Sequence, residues 1–143
     1  MNEVLSKKLL DGFPQLFRNP NETSMQNGFV CGDGWFDLIY KLCQDIETVA
    51  RDSGLSPDSP EWPLCRQVKE KIGSLGFVVF AIAGQSSVNE RINELKLAAL
   101  NKSFQICEQC GKPVELAKDR IVTLCPEHAR QVATDSALPP QIK

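Results

Sequence analysis

The sequence has a single histidine, at position 128, and no long apolar run. No uninterrupted apolar stretch approaches the roughly 20 residues that cross a bilayer. The first residues lack the basic-then-apolar order and the small-residue cleavage site of a signal peptide. We therefore expect a cytoplasmic protein, in which cysteines serve first as thiols or metal ligands and only then as disulfides.

An excess of either charge is also missing. The chain carries 16 Lys and Arg residues against 18 Asp and Glu residues, which gives a formal net charge of −2. A protein that binds DNA mainly through phosphate contacts normally shows a basic stripe, and none is present. The glycines do not match either phosphate-binding pattern, G-x-x-x-x-G-K-[ST] or G-x-G-x-x-G. These absences favour a protein that binds other proteins.

What remains is the composition of an ordinary folded protein, with 42% hydrophobic and 24% charged residues in 143. This composition predicts a small single domain of α+β class, in which helices pack on a β-hairpin. We divide the chain into a core (residues 1–104), a zinc module (105–132) and a loose tail (133–143). Apolar periodicity and alternation predict the following elements in the core: helices at 2–13, 33–51 and 87–103, and a hairpin at 66–83 with its turn at Gly73-Ser74.

The pattern C-x2-C-x14-C-x2-H carries the clearest chemistry in the chain. It consists of Cys107, Cys110, Cys125 and His128, with a glycine directly after the first pair. Zinc prefers four thiolate or imidazole ligands in a tetrahedron, and two close pairs separated by a dozen or more residues supply them. We predict one structural zinc ion at these four residues. The alternative is that these residues bind no metal and are unrelated thiols beside a surface histidine.

The segment around these ligands predicts a recognisable order of elements. A knuckle at the first pair precedes two short strands around a charged turn (114–124), and the second pair opens a helix. This order resembles the treble-clef class of zinc fingers over about residues 104–132. Four protein ligands leave no open position for water, so a catalytic zinc is not expected. With the sole histidine used as a ligand, a histidine-based triad is excluded as well, and we predict that the protein is not an enzyme.

Several other residues have both a functional and a structural interpretation. Trp62 lies between two prolines and is a candidate contact residue for a partner, although packing onto the domain explains it equally well. Asp33 and Trp35 are either part of a functional loop or an N-cap followed by a core tryptophan. The other three thiols, Cys31, Cys43 and Cys65, are predicted to be buried small hydrophobes.

Three stretches together resemble small uncharacterised proteins of phages, prophages and other mobile elements in proteobacteria. They are Cys-Gly-Asp-Gly-Trp and the residues after it (31–39), Gln-Val-Lys-Glu-Lys and the residues after it (67–75), and the cysteine cluster (107–128). The resemblance spans about residues 28–130. It implies a gene context in which small acidic proteins bind and disable host machinery, including CRISPR defence.

We therefore expect a non-enzymatic, zinc-containing protein-binding module. The resemblance suggests an anti-CRISPR-like inhibitor that occupies a surface of a host protein or ribonucleoprotein complex in the bacterial cytoplasm. The alternative is a nucleic-acid-binding or transcription-regulating zinc protein. In that case the phosphate contacts would come from the basic residues around the zinc: Lys112, Lys118, Arg120 and Arg130.

Overall fold

The structure is a computed structural model that describes residues 1–115 and 121–136. This part of the chain contains four α-helices and a three-stranded sheet. The predicted α+β class is confirmed. In chain order the elements are α1 (Glu3–Gly12), β1 (Phe29–Val30), α2 (Phe36–Asp52), β2 (Cys65–Lys71), β3 (Ser74–Val79), α3 (Ser86–Ser103) and α4 (Pro126–Ser136).

The sheet has the order β1-β2-β3, with β1 parallel to β2 and β2 antiparallel to β3. The predicted hairpin is therefore present, but its two-residue turn is Ile72-Gly73, one residue earlier than Gly73-Ser74. Both turn residues have positive φ, +49° for Ile72 and +79° for Gly73. This is the backbone of a type I′ turn, whose twist matches that of the paired strands.

The main core lies between the helices and one face of the sheet. Apolar residues recur at helical spacing along α2, so one stripe of this helix is buried while charged residues face solvent. Val68 and Phe77, which are paired across the hairpin, supply the buried face of the sheet. The largest fully buried side chains of this core are Trp35, Leu9, Leu16, Ile39, Ile46, Leu75 and Val68.

The start of α2 differs from the prediction. Asp33 does not cap this helix, because residues Asp33–Trp35 form a separate 3-10 turn and α2 begins at Phe36. The Asp33 carboxylate instead accepts hydrogen bonds from the backbone N–H and the side-chain amide of Asn2, at 2.7 and 2.9 Å. Asn2 in turn caps α1 by accepting from Leu5 N–H. Asp33 therefore joins the first helix to the loop before α2.

The C-terminal region also differs in two places. Residues 114–115 and 121–125 are not in strands, and the rest of the predicted inter-pair hairpin (116–120) lies outside the described residues. Helix α4 continues to Ser136, so residues 133–136 of the predicted loose tail are helical, while residues 137–143 of that tail lie outside the described residues. No helix in the described ranges is both long and apolar enough to cross a membrane.

Candidate metal centre

The first ligand pair lies in a tight backbone loop. An isolated β-bridge joins Ile106 to Pro113, and inside it Cys107 N–H donates to Lys112 C=O at 2.8 Å. Gly111 N–H donates to Cys107 C=O at 2.9 Å, and Gly111 has a φ of +77°, which glycine adopts without a steric penalty. The loop therefore turns both thiols of the first pair to one side, as the glycine after Cys110 predicts.

The second ligand pair stands at the start of α4. Cys125 directly precedes this helix and His128 lies within its first turn. Ala129 N–H donates to Cys125 C=O at 2.9 Å, which fixes the first turn. Leu124 and Cys125 pack with Cys107 in a small apolar cluster of their own, supported by Val114 and Ala129.

The four donor atoms lie within 4.8 Å of one another, so this group can hold one metal ion. The Sγ atoms of Cys110 and Cys125 are 3.8 Å apart, and Nδ1 of His128 is 3.6 Å from Cys107 Sγ and 3.2 Å from Cys125 Sγ. In a tetrahedron with zinc–ligand bonds of about 2.0–2.3 Å, the S···S edge is about 3.8 Å and the S···N edge about 3.6 Å. The Cys110–Cys125 and Cys107–His128 separations match these edges and the Cys125–His128 separation is shorter, so small side-chain shifts would place all four donors around one tetrahedral ion.

The loop backbone favours thiolate at two of the three sulfurs. Burial opposes ionisation of Cys107, but backbone N–H groups of Cys125, Cys110 and Gln109 outweigh it and lower the pKa of this thiol. The backbone N–H of His128 lowers the pKa of Cys125. The pKa of Cys110 is raised: Lys112 N–H lowers it, but desolvation and the neighbouring thiols Cys107 and Cys125 outweigh that hydrogen bond. A bound cation would offset this crowding of sulfur charge.

The metal-binding loop rests directly on the segment before α2. Gly34 N–H donates to Glu108 C=O at 2.7 Å, and Gly32 N–H donates to Glu108 Oε1 at 2.8 Å. A Cβ atom on Gly34 would lie 2.5 Å from Gly111 N, and one on Gly32 would lie 2.9 Å from the Glu108 carbonyl carbon. Both glycines are therefore needed for the close approach of their backbone to the backbone of residues 107–111. We call residues 31–34 the seat of the metal loop, because the loop packs directly on them.

Two further contacts hold this unit to the rest of the fold. Trp35 Nε1 donates to Ile106 C=O at 3.0 Å, just before the first ligand. Thr123 Oγ1 donates to Gly73 C=O at 2.6 Å, which ties the segment before Cys125 to the hairpin turn. The Cys-Gly-Asp-Gly stretch, the hairpin turn and the cysteine cluster therefore meet in space beside the candidate metal site.

The structure corrects two of the three predicted partner-binding residues. Trp62 is 1% exposed, and its indole N–H donates to Glu47 Oε2 at 3.2 Å while Arg51 lies over its ring. Trp35 is fully buried against Ile106. Both tryptophans are core residues, so the prediction that they contact a partner is wrong. Asp33 is exposed, but its carboxylate is occupied by Asn2.

The basic residues that would contact phosphate in a nucleic-acid-binding protein do not form a basic patch within the part of the chain that the structure describes. Lys112 faces Glu127, with Nζ 3.7 Å from the carboxylate, and Arg130 is exposed on α4 in a shallow surface depression that Glu127 and Asp135 also line. Lys118 and Arg120 lie outside the described residues. Each of the two basic residues that can be located therefore has carboxylates beside it, which weakens attraction to phosphate.

The remaining thiols are buried, as predicted. Burial raises the pKa of Cys31 and of Cys65 to about 12, and raises that of Cys43 well above its usual value. Neutral, buried thiols of this kind are poor nucleophiles and poor metal ligands.

The residues on which the metal loop rests were not predicted from the sequence. The two glycines around Asp33 were a usable signal, because paired glycines beside a helix start indicate close backbone approach. No local signal marked Thr123 or the Glu108 side chain, whose partners lie 50 and 76 residues away. Comparison of the chain with protein-family models, curated proteins and solved structures finds no match.

Proposed function

We propose that this protein is a non-enzymatic, protein-binding module stabilised by one structural zinc ion. The observation that supports the zinc assignment is the grouping of three thiols and one imidazole within 4.8 Å, with two of their separations equal to the edges of a zinc tetrahedron. A zinc ion in this ligand set supplies fold stability, because three thiolates and one imidazole leave no position for water. The surrounding residues hold the ion by orienting their sulfur and nitrogen atoms through backbone hydrogen bonds.

Exposed apolar side chains beside the metal unit support the binding role. Ile72 at the hairpin turn is 70% exposed, and Ile121 is 73% exposed. Ile72 and Val122 immediately precede Gly73 and Thr123, the two residues joined by the hydrogen bond between turn and metal unit. Solvent-exposed, large aliphatic side chains on a rigid part of a fold are typical of a surface that docks another protein.

The resemblance to mobile-element proteins supplies the biological setting of the proposal. The partner is a host protein or ribonucleoprotein complex of the bacterial defence machinery, and the module disables it by occupying a surface. The protein acts in the cytoplasm, where free thiols and an exposed ligand such as Cys110 stay reduced.

Pull-downs from proteobacterial lysate with and without nuclease treatment test this function. The wild-type protein is compared with Ile72→Asn/Ile121→Ser, and with Val4→Ser, which removes an apolar side chain on α1 that is 67% exposed. We expect the wild type and Val4→Ser to retain a stoichiometric protein complex and the double variant to lose it. Recovery of nuclease-sensitive material alone, with a steep loss on adding salt, would replace this function by nucleic-acid binding.

A further inference from the structure

A groove of about 400 Å³ lies between α3 and the outer face of the hairpin, and it is lined by residues of both β2 and β3. The sheet contributes the polar residues Gln67, Lys69 and Lys71, together with the backbone of Gly76. Helix α3 contributes Asn93, Lys96, Leu97 and Leu100, which share one helix face. Leu97 is 58% exposed, so the groove has an apolar wall open to solvent.

The groove is positively charged. Lys69, Lys71 and Lys96 line it, and no carboxylate is among its described lining residues. None of the ion pairs within residues 1–115 and 121–136 involves these three lysines, whereas Lys7, Lys41 and Lys112 each have an acidic neighbour. The Lys96 ammonium instead lies 3.4 Å from the Asn93 side-chain oxygen. Three cations that share a groove attract a ligand of negative charge.

The β3 side of the groove is an open strand edge. No strand in the described part of the chain pairs with β3 on the side away from β2. Leu75 N–H points to this edge and donates to Ser103 Oγ at 2.9 Å. Because hydrogen-bonding directions alternate along an antiparallel strand, Phe77, two residues later, presents its N–H and C=O to the same edge, while its ring is buried.

Gly76 lines the groove without a side chain, so the outer face of the hairpin is bare between the lysines and β3. It is paired with Lys69 in the middle of the hairpin, and a Cβ atom there would lie 3.2 Å from Lys69 C=O. A glycine inside a strand weakens the strand and commonly marks a place where another backbone approaches closely.

We propose that this groove binds an extended acidic peptide segment of a partner protein, which adds as a strand to β3 at Phe77. The inference rests on the proposed protein-binding function and names the chemistry of its partner. Backbone pairing with Phe77 supplies affinity, the lysines select carboxylates, and Leu97 and Leu100 receive the alternate apolar side chains. RNA fits less well, because the described lining has no arginine and no exposed aromatic ring on which a base would stack.

The test is a display selection of random peptides of roughly eight residues against the zinc-loaded full chain. The groove variant is Lys69→Glu/Lys96→Glu. The matched control is Lys8→Glu/Arg91→Glu, which makes the same change in net charge at exposed positions outside the groove. Thermal unfolding of all three proteins confirms that each is folded.

We expect the enriched peptides to carry net negative charge with alternating apolar residues. Their affinity should fall by about ten-fold or more in the groove variant and by less than about two-fold in the control. Bound peptide should also slow hydrogen exchange of the Phe77 amide, which a purely electrostatic contact would leave unchanged. Failure to enrich peptides, enrichment of neutral or basic ones, equal binding to both variants, or an unprotected Phe77 amide would each overturn the inference. So would displacement of the peptides by single-stranded RNA that binds more tightly.

Two outcomes separate this inference from the proposed function. If the groove variant still retains the lysate complex in full, the groove is not the binding surface, although the protein-binding function stands. If the wild type retains no lysate protein but selects acidic peptides by the criteria above, the groove inference stands and the proposed host partner is wrong.

Discussion

Gly34 N–H donates to Glu108 C=O at 2.7 Å, so the loop before α2 lies against the backbone between two metal ligands. We predict that Gly34→Ala lowers the free energy of unfolding by about 1–3 kcal/mol, the usual cost of overpacking. The added Cβ would lie 2.5 Å from Gly111 N and 2.7 Å from Glu108 O, and these backbone atoms have no rotamer to escape into. Urea unfolding and the rate of metal loss to a chelator measure the effect.

Gly12→Ala is the control for this substitution. Gly12 is the last residue of α1, and the nearest atoms to an added Cβ belong to the Tyr40 ring at 3.5 Å, an ordinary contact. We expect this variant to be neutral or slightly stabilised. Equal losses of stability in the two variants would contradict the role of Gly34 as part of the seat.

Metal analysis of protein purified without chelator should give one zinc ion per chain. Cys110→Ser should lose the ion and unfold the metal loop, whereas Cys43→Ala, which changes a buried thiol in the main core, should keep it. Because Trp35 Nε1 donates to Ile106 C=O, metal loss should also shift tryptophan fluorescence. Zinc-free protein with an unchanged spectrum would refute a structural metal site.

Ile72 is a branched side chain held at a φ of +49°, where glycine and asparagine are far more comfortable. Ile72→Asn should therefore raise the free energy of unfolding by about 0.5–1 kcal/mol. The same variant should bind the lysate partner less well, because it removes the exposed apolar side chain of the turn. Chemical denaturation measures the expected gain in stability, and the pull-down measures the expected loss of binding.

Val4→Ser is the control for the expected loss of binding, because it removes an exposed apolar side chain that is not in a turn. A more stable Ile72→Asn protein with undiminished capture would mean that the turn residue is not a binding residue.

The Glu47 carboxylate is buried, accepts from Trp62 Nε1 at 3.2 Å and lies 3.4 Å from an Arg51 nitrogen. Burial raises its pKa above the usual 4.5, although Trp62 and Arg51 pull in the opposite direction. The folded state therefore binds the proton more tightly than the unfolded chain. As pH falls through the raised folded pKa towards 4.5, wild type should gain stability relative to Glu47→Gln, with no further change at lower pH.

At neutral pH the two substitutions at this position should differ. Glu47→Gln keeps an acceptor for Trp62 and removes the buried charge, so it should be at least as stable as wild type. Glu47→Ala leaves the indole N–H without its partner and should cost about 1–3 kcal/mol. Thermal unfolding of both variants beside Glu61→Gln, an exposed neighbour, checks this; the reverse order would mean that the Arg51 pair dominates.

The sequence was most informative where spacing along the chain alone decides the geometry. The grouping of Cys107, Cys110, Cys125 and His128 is confirmed, since each pair is local and the glycine after the first pair marks the turn. The helical spacing of α2 likewise follows from its own residues.

Long-range partners were not predictable in this way. Asp33 fits a helix cap by every local rule, yet Asn2, 31 residues away, occupies its carboxylate. Trp62, between two prolines, has no place in a regular element, but Glu47 and Arg51 of α2 give its indole a buried site. Such contacts depend on how the elements pack, and a single sequence does not encode their pairing in any local pattern.

The ribosome synthesises residues 31–34, on which the metal loop packs, long before it synthesises the loop itself at residues 107–110. Gly32 and Glu108 are 76 residues apart, so the ribosome must release most of the chain before they meet. Until then Trp35 lacks its carbonyl partner and the glycine backbone is open to water. With zinc as the proposed ion, a cell short of zinc would accumulate chains in which the metal loop has not folded, and proteases cleave unfolded segments readily. The lifetime of the protein in the cell would then report on the supply of the metal.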